Sequence, residues 1–195
     1  MNHLVVYNHP NPKSFCHAIK ETVVETGQNL GHEVQVRDLY ALNFDPVLAP
    51  EDFEAMQKGG CRSDVQDEQE AVTWANHITF IYPIWWTGLP ARMKGYIDRV
   101  YSHGFAYAFG PKGQLEQKLK DKSAIIVNTN GMPFDVYTKN GMYDSLKQTS
   151  DTGIFAFCGV RVLDHIFFGG VPSVSDEVRK GYLETVRTRL PALFD

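Results

Sequence analysis

Two adjacent tryptophans stand in Pro83-Ile-Trp-Trp-Thr-Gly-Leu-Pro90, directly after an apolar, strand-like run. An extended chain points successive side chains to opposite faces, so Trp85 and Trp86 cannot both enter one core. A planar ligand with polar edges accounts for them. The rings would supply contact area, and backbone N–H groups of the loop would orient it. Gly88 would let the backbone come close. The alternative is an apolar patch used for self-association. A second segment, Asn8 to Ser14, offers His9, Asn11, Lys13 and Ser14 ahead of a helix start. Free N–H groups and the helix dipole favour an anion there by roughly 0.3–1 kcal/mol per nearby charge. The same loop reads also as a capped helix with polar neighbours. A third segment, Asn128-Thr-Asn-Gly131, presents successive backbone N–H groups that suit a pyrimidine-like edge or a developing oxyanion. Tyr137 and Tyr143 follow it as proton donors or as structural tyrosines.

Several chemistries are excluded or disfavoured. GxGxxG and Walker A sequences are absent, so neither a Rossmann fingerprint nor a P-loop is expected. The seven histidines form neither HxH nor HExxH, and the three cysteines form no CxxC, so no metal site is expected. Three scattered cysteines suit free thiols in a reducing compartment. A net charge of −4 argues against nucleic acid, whose phosphates need a basic stripe. The chain begins on a strand-like run with nothing resembling a signal peptide, and no apolar stretch is long enough to span a bilayer. A cytoplasmic location is therefore expected.

The elements that must position these segments alternate strand with helix. His3–Tyr7, Ile78–Tyr82, Ser123–Asn128 and Arg161–Phe167 are short apolar runs of the kind buried in parallel sheets. Glu33–Asp38 alternates, as a half-exposed strand near a sheet edge does. Ser14 is placed to cap a helix with Phe15, Ile19, Val23 and Leu30 at helical spacing, and Gly31 to stop it. Residues 45–67 read as connection with short helical pieces, 64–76 as a polar helix, 90–101 as a helix opened by Pro90. A final helix starts near Ser175 and runs towards Pro191. The whole, residues 1–195, reads as one α/β domain. Its fold is a three-layer, doubly wound, five-stranded parallel sheet in the flavodoxin-like order 2-1-3-4-5. In such a sheet ligands lie beyond the carboxyl ends of the central strands, where all three segments fall.

Val6-Tyr-Asn-His-Pro-Asn-Pro-Lys-Ser-Phe15, Asp38-Leu-Tyr-Ala-Leu-Asn-Phe-Asp-Pro46 and Tyr82 to Val100 carry a family resemblance, continued by Gly104–Phe109 and Phe157-Cys-Gly159. Over nearly the whole chain, in order, they resemble the NAD(P)H:quinone oxidoreductases, the group containing DT-diaphorase and the ancillary flavoproteins of bacterial potassium-efflux systems. The resemblance implies a flavin-binding homodimer with active sites at the interface. Hydride would pass from NAD(P)H through FMN, or alternatively FAD, to a quinone-like acceptor by a ping-pong cycle. It implies that His9, Ser14, Phe15 and Cys16 meet the flavin phosphate end. Pro83, Ile84, Trp85, Trp86, Thr87 and Gly88 would line the ring, with Thr129, Asn130, Gly131 and Tyr137 at the pyrimidine edge. Tyr137 and Tyr143 are the implied catalytic residues; Tyr107, Phe109 and Phe157 would line the substrate pocket, partly across the dimer. Three positions depart from DT-diaphorase: Thr87 stands for an aromatic residue, Tyr143 for a histidine and Asn130 for a glycine. The C-terminal extension of the long mammalian enzymes has no counterpart. The resemblance also leaves a regulatory role, with peripheral contact to a membrane transporter, as the alternative function.

Overall fold

A computed structural model describes residues 1–194. The order along the chain is β1 (Asn2–Tyr7), α1 (Phe15–Asn29), β2 (Glu33–Asp38), α2 (Pro50–Gln57), α3 (Ser63–Trp74), β3 (His77–Pro83) and α4 (Ala91–Val100). There follow β4 (Tyr107–Phe109), β5 (Leu115–Gln117), β6 (Ser123–Thr129), α5 (Phe134–Lys139), α6 (Met142–Lys147), a π-helix (Gln148–Ala156), β7 (Arg161–Phe168) and α7 (Asp176–Phe194). The main sheet is parallel throughout, in the order β2-β1-β3-β6-β7. With the β4–β5 hairpin set aside, this is the expected 2-1-3-4-5.

The sheet is buried on both faces, which is why its central strands are continuously apolar. Leu4, Val6, Ile78, Phe80, Ala124 and Ile126 face one core with α3 and α4; Val5, Ile81, Ile125 and Val127 face the other with α1 and α7. Ser14 caps α1, its hydroxyl accepting the His17 N–H at 3.2 Å, and Gly31 takes the left-handed conformation (φ 74°) that ends the helix. β2 lies at one edge, as its alternation indicates.

Two expectations need correction. β7 is the opposite edge strand rather than a fully buried one, and its first half is partly exposed. Its apolar residues are nonetheless used on both faces, Val162 and Phe167 on one, Ile166 and Phe168 on the side of α7. Helix α7 does not end at Pro191 but continues to Phe194. A proline there removes only one intrahelical bond close to the end, so packing of Leu190 and Phe194 prevails. The hairpin, α5, α6 and the π-helix were not foreseen. No helix of the described residues is long and apolar enough to cross a membrane.

Candidate functional site

The carboxyl ends of β1, β3, β6 and β7 enclose a cleft of about 180 Å³. Its walls are His9, Ser14, Phe15 and Cys16 after β1, then Pro83, Ile84 and Trp85 after β3. Thr129, Asn130 and Gly131 at the end of β6 close a third side. All three segments singled out from the sequence therefore contribute to it, although Trp86, Thr87 and Gly88 are not among its walls. A fourth, Val171 and Pro172 after β7, was missed. The strand-end rule extended to the fourth buried run would have found it, since the same edge receives every loop that follows a strand.

At the α1 end the donors are aimed by local bonding. His9 Nδ1 accepts the Asn11 N–H at 3.0 Å, which puts the ring proton on Nε2. Burial holds the His9 pKa below its ordinary value, so the ring is a neutral N–H donor at physiological pH. With Ser14 Oγ spent on His17, the first-turn N–H groups of Phe15 and Cys16 have no intrahelical partner. The Cys16 thiol lies 3.1 Å from Thr129 Oγ1, and burial pushes its pKa up to about 12. It is a tie between α1 and β6 rather than a thiolate nucleophile.

At the β6 end, Asn130 is held by backbone bonds to Phe168 O and from Val171 N, both at 3.0 Å. Its side-chain Nδ2 donates to Tyr143 Oη at 3.2 Å, and its Oδ1 is buried without a partner. A side chain at Gly131 would meet nothing, so that wall is open. Tyr143 is buried against Ile84 and Leu146, with Tyr137 half-buried beside it at a ring separation of 5.4 Å. These tyrosines form the backing of the cleft rather than its surface.

The tryptophan loop is a two-residue turn. Trp85 and Gly88 exchange backbone hydrogen bonds at 3.2 and 3.1 Å, and the intervening Trp86 and Thr87 both have positive φ (49° and 55°). Left-handed conformation is costly for a bulky or β-branched residue, on the order of 1–3 kcal/mol each, and such strain gathers at functional sites. Its outcome is that Trp86 is 100% exposed while Trp85 packs edge-on to His9 at 6.0 Å.

Residues 1–190 match a protein family described as having a flavodoxin-like fold. A Haemophilus influenzae protein named an uncharacterized NAD(P)H oxidoreductase is 37% identical over 193 residues, 98% of this chain and 95% of its own. The ribosyldihydronicotinamide dehydrogenase [quinone] of Rattus norvegicus is 35% identical, covering 98% of this chain and 91% of its own. The solved NAD(P)H:quinone oxidoreductase from Methanothermobacter marburgensis superposes with a TM-score of 0.86 at 27% identity, over 96% of both chains. The chain belongs to the NAD(P)H:quinone oxidoreductase family.

One group of expected site residues in this family member lies elsewhere. Tyr107 and Phe157 pack edge-to-face at 5.1 Å and line a second cavity of about 690 Å³, with Phe53 and His103 among its walls. Phe109 projects beside them, 54% exposed and parallel to His103. None of the three borders the first cleft within one chain. No cluster of three or more His, Cys, Asp or Glu side chains able to hold a metal occurs among the described residues.

Proposed function

We propose that this chain is a flavin-dependent NAD(P)H:quinone oxidoreductase whose 180 Å³ cleft receives the flavin, FMN in preference to FAD. The observation that carries this reading is a set of unused polar groups on the residues that line the cleft. The His9 Nε2–H and the first-turn amides of α1 offer donors for a phosphate; the unpartnered Asn130 Oδ1 offers an acceptor for a ring N–H. The strained, exposed Trp86 turn directly follows the cleft residues Pro83, Ile84 and Trp85, and a planar ring would lie against it. These donors and this acceptor suit the phosphate and the polar ring edge of a phosphate-bearing heterocycle. When bound, the flavin would accept a hydride from NAD(P)H and deliver it to the acceptor, so that the two substrates use one place in turn.

The residues' own tasks follow from their placing. Backbone N–H groups at Thr129–Gly131 would stabilise negative charge at the pyrimidine edge, with Tyr137 and Tyr143 as the nearest hydroxyls. Pro83–Gly88 would hold the ring from its other edge. Tyr107, Phe109 and Phe157, remote from the cleft in one chain, would reach it from a second copy, so the homodimer would complete the substrate pocket. Quinones are the favoured acceptors because relatives are named for them. The described chain would act as one domain.

Purified protein should be yellow, release FMN on denaturation, and bleach with NADH or NADPH under nitrogen before a quinone restores the colour. A colourless protein that takes up neither FMN nor FAD would overturn the reading. The turn gives a second expectation. Replacing Trp86-Thr87 by Asn-Gly, which prefer this backbone, should raise stability by about 1–2 kcal/mol. The same change should weaken FMN uptake, read by urea melts and by fluorescence titration of the apoprotein. A variant that gains stability and keeps full FMN affinity would remove Trp86 from the site.

A further inference from the structure

Beneath the cleft, on the sheet face covered by the π-helix, three polar side chains from distant parts of the chain join. His165 Nδ1 lies 2.7 Å from Asp151 Oδ1, and His165 Nε2 lies 2.7 Å from Asn128 Oδ1. Asn128 in turn donates from Nδ2 to the Tyr82 carbonyl at 3.1 Å. Asn128 is 1% and His165 7% exposed, so water does not serve as an alternative partner.

The donor count fixes the protons. Tyr82 O can only accept, so the Asn128 NH₂ must face it and Oδ1 must face His165. Nε2 must then donate. On the other side Asp151 Oδ1, with the Ser150 hydroxyl 2.8 Å away, faces Nδ1. Burial pulls the imidazole pKa down; Asp151 on the π-helix and Asp164 on β7 pull it up, and Lys147 on α6 opposes them. Burial prevails. The Asn128 side-chain carbonyl can only accept, so Nε2–H is the form that satisfies it in the neutral ring as in the charged one.

The placing of the two partners gives this triad its consequence. Tyr82 and Asn128 are register partners on β3 and β6, and each immediately precedes a cleft wall, Pro83 and Thr129. A second rung runs parallel to the first. His165 stacks on Phe167 at 4.0 Å, and Phe167 stacks on Tyr143 at 4.2 Å, whose hydroxyl accepts from Asn130.

We propose that His165, steadied by Asp151, is a positioning residue for the cofactor cleft: its Nε2–H orients the Asn128 amide and thereby ties the roots of both ring-holding loops. The role rests on the flavin reading above; the proton assignment does not. Long-range ¹H–¹⁵N NMR of the histidine-labelled apoprotein should show Nε2 of His165 protonated throughout about pH 6 to 9. A bare-imine Nε2 at the upper end overturns the proposal. His165→Leu keeps the ring stack's apolar volume and removes the donor. It should weaken FMN binding to the apoprotein about tenfold, one buried hydrogen bond's worth, with the far-UV spectrum unchanged. FMN affinity within about twofold of the wild type overturns the positioning role. Wild-type protein that binds neither FMN nor FAD overturns the flavin reading and the role with it, while the NMR result still decides the proton assignment.

Discussion

Arg99→Leu is expected to cost about 3–5 kcal/mol, a large part of the roughly 5–15 kcal/mol that holds a domain folded. The Arg99 side chain, on α4, is fully buried. Its Nε and one terminal nitrogen donate to Asp52 Oδ1 at 3.1 and 2.9 Å. The other donates to Asp64 at 2.7 Å and to the Asp45 carbonyl at 2.8 Å. The guanidinium thus pins the long β2–α3 connection, including α2, onto α4. Asp64 is 40% exposed and could be solvated, but Asp52 is 5% exposed and would be stranded. Arg62, at 3.8 Å from Asp52, is too distant to replace five directed donors. The melting temperature should fall by about 6–20 °C. Adding Asp52→Asn, which discards the stranded charge yet keeps an oxygen for the Ala49 N–H, should return about 1–2 kcal/mol. A drop below about 3 °C in calorimetry would show that the buried cation is dispensable. The consequence reaches the second cavity, because α2 supplies Phe53 to its wall.

Acid should destabilise the fold well above the range where carboxylates titrate. His3 is 0% exposed in β1, bonded through Nε2 to Thr79 Oγ1 at 2.8 Å, with Nδ1 unpartnered. Burial, reinforced by His32 and His77, lowers its pKa from 6.5 to about 3. The unfolded chain therefore takes up this proton first. Stability is complete above about pH 6.5 and is lost as pH falls from there towards 3. From pH 7.5 to 5 the loss from His3 alone is about 2 kcal/mol. His32 and His77, also lowered by burial, act in the same direction. Urea melts at the two pH values measure it, and His3→Gln, which cannot titrate, should flatten the difference. An unchanged stability between pH 7.5 and 5, or an undiminished slope in the variant, would contradict the assignment.

Much of the fold is legible along the chain because the signals are local. β1, β3 and β6 are apolar on both faces since a central parallel strand is covered twice, and that shows as an unbroken run. Ser14 and Gly31 mark the ends of α1 through bonds or dihedrals of their own neighbourhood. β7 misled because one apolar run looks alike at an edge and in the centre; what differs is whether another strand lies beyond it. The π-helix left no periodic trace, as its wider spacing matches neither helix nor strand. Pro191 misled because a proline near a helix end loses little that packing cannot offset.

The tryptophan loop shows the same division. From its residues alone, two large rings on a turn after a buried strand pointed to a ligand edge, and the order of strands placed that edge beside His9 and Thr129. That conclusion needs only period, turn chemistry and the rule for parallel sheets. Only the tertiary structure decided that Trp86 and Thr87 take positive φ and leave one ring wholly open. It alone separated Tyr107 and Phe157 from the cleft, and it alone brought Asp151, His165 and Asn128 within hydrogen-bond range across three elements. The reason is physical. Backbone preference and burial pattern act over a few residues and are written in sequence order. Contacts between side chains far apart along the chain exist only once the packed layers fix their distances.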